Sequence, residues 1–155
     1  MAEVVIRPDD PTSPDVVAVL EAHLTFADEH SPPEDVHALD VSGLLDATVS
    51  FFSARRAGTL VAIGAIRELD PRHGELKSMH TVGTQRRQGL GRLMVTYLLG
   101  VARSRGYRRV SLETGSMEAF APARSLYLGA GFSECGPFGD YRPSANSTFM
   151  TLALV

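Results

Sequence analysis

The spacing of apolar residues in the first third of the chain predicts one strand and two helices. Alternating Val4 and Ile6 predict a first strand. Apolar residues then recur every three or four positions over 14–27, and Ser13 stands where an N-cap belongs, so a helix is expected there. The consecutive prolines of HSPPED end this helix. A short second helix is expected over 35–46.

The middle of the chain carries three runs rich in β-branched and aromatic residues. Two of them, over 48–56 and 59–69, flank Ala57-Gly58 and predict a β-hairpin. The turn residues PRHG then lead into a fourth strand over 75–82.

The second half begins with the most regular helical pattern of the chain. Its apolar stripe starts at Leu90 and ends near Arg105-Gly106, where cationic residues favour a helix C-terminus. The remaining segments predict a strand in RRVSLETG, a helix in MEAFAPARSLYLGAG with Pro122 as an early kink or first residue, and strands in GFSECGPFGDY and STFMTLALV. The predicted order is β-α-α-β-β-β-α-β-α-β-β, which indicates an α/β fold.

Composition indicates one packed domain over 1–155, because 155 residues with 44% hydrophobic side chains bury enough surface to fold without disulfides. The single cysteine, Cys135, fits a reducing compartment. The first ten residues lack the basic and apolar runs of an export signal, and apolar stretches such as 60–66 are too short to span a bilayer. We therefore expect a cytoplasmic protein that does not bind membranes.

The net charge of −3 is the sum of an acidic first half and a basic second half of the chain. Residues 1–75 hold 5 Lys or Arg against 14 Asp or Glu, and residues 76–155 hold 10 against 4. Seven of the basic residues lie between Arg86 and Arg109, and arginine suits phosphate recognition, although such a run also occurs on solvated helix faces. The pI of about 5.9 argues against a nucleic-acid-binding protein.

The histidines give no metal site. His23, His30 and His37 recur every seven residues, but the proline pair interrupts any helix that would align the last two. No Cys and His cluster has zinc spacing, so we expect no metal.

The strongest candidate for a binding site is Gly89-Leu90-Gly91 at the start of the long helix. A helix N-terminus offers unpaired N–H groups to an anion, and glycine lets the anion approach closely. The motif is neither a Walker loop nor a GxGxxG fingerprint. By itself it is also compatible with an ordinary turn.

The same stretch resembles the core motif of the GNAT N-acetyltransferase superfamily. The family pattern Q/R-x-x-G-x-G/A is matched by Arg86-Arg87-Gln88-Gly89-Leu90-Gly91, and ELKSMHT, VSLETG and PARSLYLGAGF follow the family order over about 75–132. The resemblance implies a GNAT fold: a mixed, mostly antiparallel sheet with a splay between strands four and five and helices on both faces.

The resemblance also implies acetyl-CoA as the acetyl donor. Its pyrophosphate would lie on the N–H groups of 86–91 and its pantetheine arm along the backbone of the fourth strand. The residues so implicated in cofactor binding are Met79, His80, Thr81, Arg86, Arg87, Gln88, Gly89, Leu90, Gly91 and Arg92. One departure is Phe120, where many members place an asparagine that helps to hold the cofactor.

Three residues are candidates for acid–base catalysis. Tyr127 stands where many relatives keep a tyrosine that protonates the leaving thiolate, and a phenol is protonated at neutral pH. An amine must lose a proton before it attacks, and Glu113 and Glu75 both occupy positions where relatives place a base. We favour Glu113 because it lies nearer the expected splay, and His80 is a candidate proton relay.

The acceptor is expected to be the primary amine of a small molecule, bound between 29–37 and GDYRPSANS. Arg142 in the latter segment is a candidate partner for an acceptor carboxylate. A peptide or protein N-acetyltransferase and a non-catalytic acyl-CoA-binding module are the alternatives. The sequence leaves open whether the protein forms a homodimer.

Overall fold

The computed structural model describes residues 3–85 and 89–154, and the strands in these ranges form one sheet flanked by helices. The elements are β1 (Val4–Pro8), α1 (Pro14–His30), α2 (Val41–Leu44), β2 (Val49–Arg56), β3 (Thr59–Asp70), β4 (His73–Thr81), α3 (Leu90–Ser104), β5 (Arg109–Gly115), α4 (Ala121–Gly129), β6 (Ser133–Cys135) and β7 (Ser147–Ala153).

The sheet confirms the predicted mixed topology. Its strand order is β1-β2-β3-β4-β5-β7-β6, and every neighbouring pair is antiparallel except β4 and β5. These two parallel strands pair only where His73–Glu75 face Arg109–Ser111, after which they separate. The separation is the splay that the family resemblance implied.

The hairpin between β2 and β3 also follows the prediction. Ala57 and Gly58 both have positive φ, 49° and 82°, as a two-residue turn of the I′ type requires. The turn fixes the register in which Arg56 faces Thr59.

Hydrophobic side chains cover both faces of the sheet. On one face α3 buries an apolar stripe that includes Leu90, Met94 and Leu98. On the other face α1 buries Val16 and Leu20 in a second cluster with residues of β2 and β3. The central strands are therefore enclosed, and the splay is the place where the sheet opens.

The predicted helix over 35–46 is wrong over most of its length. The structure has a 3₁₀ turn at Pro33–Asp35 and the single-turn helix α2. The Asp40 carboxylate accepts a hydrogen bond of 2.8 Å from the Gly43 N–H, so it caps a helix that begins only at Val41. The residues before Asp40 remain free to line a cleft.

The sixth strand is also shorter than predicted, with three residues in place of a strand through 141. Gly136 and Pro137 follow it directly, and proline cannot donate to a strand ladder. The chain over 136–146 instead folds back on the sheet, where the ring of Tyr141 packs 5.4 Å from that of Phe149.

Candidate active site

A cleft of about 650 Å³ opens where β4 and β5 separate. Its walls are the end of α1, the segment 31–38, the edge of β4, the end of β5 and the first turns of α3 and α4. The backbone of β4 beyond Glu75 has no β5 partner. The cleft therefore offers unpaired N–H and C=O groups to a ligand that carries amides.

The N-terminus of α3 closes one end of the cleft. Its N-cap, Gly89, has φ 75°, and nothing lies within 4 Å of the position that a Cβ would take. A Cβ on Gly91 would lie 2.9 Å from Leu126 Cδ2, so glycine allows α3 and α4 to pack closely. Leu90 is buried in the core and the exposed Arg92 lines the cleft. Gly89 therefore leaves room for an anion at the helix end.

The other predicted phosphate-binding residues, Arg86, Arg87 and Gln88, lie outside the described residues. Their roles remain predictions.

The predicted pantetheine-binding residues lie along the open edge of β4. His80 and Thr81 pair with Ile63 and Ala62 of β3, which leaves their other edge toward the cleft. Met79 also lines the cleft.

Tyr127 is held in the cleft wall by the end of α4. The Phe132 N–H donates to the Tyr127 carbonyl at 3.0 Å, and the Gly131 N–H donates to the Leu128 carbonyl at 3.0 Å. With Gly131 at φ 102°, these bonds form a Schellman motif, and the ring of Phe132 packs against that of Tyr127. The local sequence LYLGAGF thus fixes the tyrosine at a defined place.

The environment of Tyr127 keeps its phenol protonated. The residue is 6% exposed, and burial raises the pKa of its phenol above the ordinary value near 10. Its hydroxyl has no hydrogen-bond partner among the described residues. The phenol therefore keeps its proton at neutral pH and is available to a ligand in the cleft.

Glu113 lies on the β5 side of the same cleft. Burial raises the pKa of its carboxyl, and the charges of Glu75 and Asp35 act in the same direction, while Lys77 opposes them. A carboxylate with a raised pKa is a stronger proton acceptor. The predicted role of Glu113 as a base remains a prediction.

Glu75, the other candidate base, does not share the position of Glu113 in the cleft wall. It is 1% exposed and is not among the residues that line the cleft. Its carboxylate accepts a hydrogen bond from the Tyr141 hydroxyl and lies 3.5 Å from Lys77 Nζ. Lys77 Nζ also donates to the His37 carbonyl at 3.0 Å and to the Tyr141 hydroxyl at 2.9 Å. Glu75 thus belongs to a buried ion pair beneath the cleft.

Sequence reasoning missed this network. Lys77 is the only lysine in the chain, and it follows Glu75 by two positions on one strand, so the two side chains share a face; this spacing was a signal for an ion pair. Tyr141 had no comparable signal, because its partners lie 64 and 66 positions away along the chain.

The two segments predicted to form the acceptor site are in contact. The Asp35 carboxylate accepts hydrogen bonds from Ser144 Oγ at 2.9 Å and from Asn146 Nδ2 at 3.1 Å. Arg142 lies on the same segment, but it is exposed and does not line the cleft. Its predicted role with a carboxylate remains a prediction.

Two aromatic rings meet across the cleft. Phe26 of α1 packs edge-to-face on Phe120 at 5.3 Å, and both line the cleft. Phe120 also packs on Gly115, where a Cβ would lie 2.2 Å from its ring. The phenylalanine therefore gives the cleft an apolar wall where an asparagine would give a hydrogen bond.

His23 of α1 and His80 of β4 form a close pair in the cleft, with their Nδ1 atoms 3.1 Å apart. Burial, together with the charges of His80 and Lys77, lowers the pKa of His23 to about 4. His23 is therefore neutral in the folded protein at neutral pH.

This shift predicts a loss of stability in acid. In the unfolded chain His23 is protonated below about pH 6.5, whereas in the folded protein it is protonated only below about pH 4. The free energy of unfolding therefore falls as the pH drops from about 6.5 to about 4. Between pH 7 and pH 4.5 the loss due to His23 is about 2 kcal/mol. The pKa values of His37 and His73 are also lowered by burial, so the wild type shows a larger total loss.

The measurement is urea unfolding of wild type and His23→Gln at both pH values. We expect the variant to lose about 2 kcal/mol less than the wild type on acidification, since His37 and His73 titrate in both proteins. Equal losses in the two proteins would contradict the assignment.

Neither a metal centre nor a membrane span is present in the described part of the chain. No three His, Cys, Asp or Glu side chains within 3–85 and 89–154 are grouped so that they could hold a metal ion. No helix in those ranges is long and apolar enough to cross a membrane.

The family model and the related proteins all indicate the same family. The model of the acetyltransferase (GNAT) family matches residues 16–132. An uncharacterized N-acetyltransferase of Bacillus subtilis, YsnE, is 44% identical over 96% of this chain and 99% of its own. YedL of Escherichia coli, also named an uncharacterized N-acetyltransferase, is 44% identical over 96% of this chain and 94% of its own. The IAA acetyltransferase of Azospirillum brasilense is 35% identical over 97% of both chains.

Solved structures show the same fold. A crystal structure from Klebsiella pneumoniae, described as an acyl-CoA N-acyltransferase, has a TM-score of 0.84 at 28% identity and covers 100% of both chains. A Bacillus subtilis acetyltransferase crystallised with CoA has a TM-score of 0.75 at 16% identity, covering 99% of this chain and 100% of its own.

Proposed function

Because this chain belongs to the acetyltransferase (GNAT) family, we propose that it transfers an acetyl group to the primary amine of a small molecule in one domain spanning residues 1–155. It is an acetyl-CoA-dependent N-acetyltransferase. The observation that carries the proposal is the cleft at the splay, which Tyr127 and Glu113 line together beside an open strand edge.

The cleft fits acetyl-CoA at both of its ends. The pyrophosphate would bind the N–H groups at the start of α3, with Arg86, Arg87, Gln88 and Arg92 supplying further donors. The pantetheine amides would pair with the free backbone edge of Met79–Thr81. The pantetheine contacts would fill backbone donors and acceptors of β4 that β5 leaves without a partner.

Glu113 then acts as the proton acceptor and Tyr127 as the proton donor. Glu113 takes a proton from the amine, directly or through a water, and the amine nitrogen attacks the carbonyl carbon of the thioester. The carbon–sulfur bond breaks with its electron pair on sulfur, and Tyr127 gives its proton to the thiolate. After the attack the nitrogen loses its second proton, which restores the phenol through solvent, and Glu113 releases the first proton to water, so the products are an acetamide, free CoA and one proton.

The acceptor end of the cleft favours a cationic amine with an apolar body. Asp35 and Glu113 line it, and the half of the chain that contains the segment 31–38 carries a large excess of acidic residues. Phe26 and Phe120 provide an apolar wall. An amine would therefore approach as the ammonium ion and place its hydrocarbon part against these rings.

The test is a panel assay that follows release of free CoA from acetyl-CoA. The panel contains alkyl, aryl-alkyl and polyamines, amino acids, peptides with free N-termini, and IAA, because one relative is named for it. Turnover with aryl-alkyl amines above the other classes supports the proposal. Turnover with peptides alone would favour a peptide N-acetyltransferase, and cofactor binding without turnover would favour a non-catalytic acyl-CoA-binding module.

Cofactor binding at α3 gives a separate prediction with a matched pair of variants. Gly89→Asn and Gly89→Asp have nearly the same shape and both tolerate the positive φ of this position, but only the second adds a negative charge. We expect Gly89→Asp to weaken acetyl-CoA binding about 10- to 100-fold more than Gly89→Asn does, because its carboxylate would lie beside the pyrophosphate.

Isothermal titration calorimetry with acetyl-CoA measures both affinities, and raised salt should narrow the difference. Equal affinities of the two variants would place the pyrophosphate elsewhere.

A further inference from the structure

Ser147, the first residue of β7, shares a face of the sheet with Glu113. Glu113 of β5 lies opposite Phe149 of β7, and Gly115 lies opposite Ser147. Residues directly opposite each other on antiparallel strands point to the same side, and so do residues two positions apart on one strand. Ser147 is therefore a diagonal neighbour of Glu113 on the same side of the sheet.

The hydroxyl of Ser147 is buried and lacks a partner. The residue is 9% exposed, and its Oγ makes no hydrogen bond to any described residue. Gly115, directly opposite, has no side chain that could supply one. A buried hydroxyl without a partner is unfavourable, because it has lost its hydrogen bonds to water and gained none. The register of the two strands brings one acceptor to its side, the carboxylate of Glu113.

A donor beside Glu113 would have two consequences for this carboxylate. Burial raises the pKa of the Glu113 carboxyl because it penalises the charged form, whereas the nearby Ser147 hydroxyl acts in the opposite direction. A donor on one oxygen also fixes the direction of the other oxygen, which a base must aim at the proton that it removes. Such a donor would keep Glu113 charged and oriented.

We propose that Ser147 is a positioning residue, whose hydroxyl donates a hydrogen bond to one oxygen of the Glu113 carboxylate so that the other oxygen faces the acceptor amine. The inference rests on the proposed function, in which Glu113 is the base. The contact requires rotation of side chains only, since the strands already hold both residues on one face. Ser147 does not line the cleft, so it acts on the acceptor through Glu113.

Two variants test the hydroxyl through the pH profile. Ser147→Ala removes Oγ, whereas Ser147→Thr retains a hydroxyl in a residue that strands favour. We expect the acidic limb of kcat/KM to move up by about one pH unit in Ser147→Ala, because the carboxylate loses a stabilising donor. The loss of kcat/KM is then roughly tenfold below the limb and small above it. Ser147→Thr should keep the wild-type limb.

Ser116→Ala is the matched control. It removes a serine hydroxyl that lies 2.7 Å from Thr148 Oγ1, next to Ser147 along β7 but on the other face of the sheet. Ser116 does not line the cleft, so the limb should stay in place. A loss in Ser147→Ala that is the same at every pH, with the limb unmoved, would overturn the proposal, because it would indicate a structural role alone.

A titration without an acceptor measures the same contact. Glutamate carboxyl carbons are labelled with carbon-13 and followed by NMR, and the Glu113 signal is the one that Glu113→Gln lacks. We expect the pKa of Glu113 to be about one unit higher in Ser147→Ala than in wild type and Ser147→Thr. Equal pKa values in wild type and Ser147→Ala would overturn the proposal.

The two measurements separate this inference from the proposed function. A wild type that acetylates no amine in the panel refutes the proposed function, while the NMR titration still decides whether Ser147 donates to Glu113.

Discussion

Replacing Tyr127 with phenylalanine is expected to lower kcat by roughly 10²–10⁴-fold, the usual contribution of a positioned general acid. The thiolate would then leave without a proton donor, while the ring and its packing on Phe132 remain. The affinity for acetyl-CoA and the melting temperature should stay close to wild type, because the hydroxyl has no hydrogen-bond partner among the described residues. Steady-state kinetics and calorimetry measure these effects.

Tyr97→Phe is the matched control. It removes a tyrosine hydroxyl from α3, where the ring packs against Phe52 and the residue does not line the cleft. We expect wild-type kinetics from this variant. Full turnover in Tyr127→Phe would instead assign Tyr127 a packing role.

Glu113→Gln is expected to reduce kcat/KM at neutral pH by a comparable factor of roughly 10²–10⁴. Because burial raises the pKa of Glu113, the wild-type pH profile should have an acidic limb above the ordinary carboxyl range, and the variant should lack it. The loss should shrink with amines of lower pKa, since a larger fraction of these is already deprotonated. A pH series with a high-pKa and a low-pKa amine measures both effects.

Glu75→Gln should behave differently. It removes the negative charge from the buried contact with Lys77 and Tyr141, and breaking such a pair typically costs about 3–5 kcal/mol. We therefore expect a lower melting temperature with the acidic limb of the pH profile retained. If Glu75→Gln removes the limb and Glu113→Gln retains it, Glu75 is the base.

The parts of the site that the sequence predicted are those encoded by neighbouring residues. The Gly89-Leu90-Gly91 turn and the LYLGAGF end of α4 each fold through contacts within a few positions, so their sequence suffices to identify them. The splay between β4 and β5 was predicted from the family resemblance and not from the local sequence. In the structure, Tyr127 of α4 and Glu113 of β5 line one cleft.

The parts that were missed depend on contacts between distant segments. The Lys77 and Tyr141 contact and the Asp35 contacts with Ser144 and Asn146 join positions at least 64 residues apart, and no local pattern encodes them. The prediction of a helix over 35–46 was wrong for a related reason. Asp40 caps a later start, and the residues before it are held by contacts with β4 and the segment 136–146.

Because β4 and β5 pair only at their beginnings, fewer backbone hydrogen bonds hold the sheet together at the splay than in a continuously paired sheet. Among the described residues, β4 and β5 pair at three register positions. A ligand that pairs with β4 and also contacts β5 and α4 would bridge the two sides of the splay, so it would slow amide hydrogen exchange along Leu76–Thr81 and couple the two sides in unfolding. Acetyl-CoA would then act as a missing strand of the fold as well as a substrate, and its departure after each turnover would loosen the enzyme.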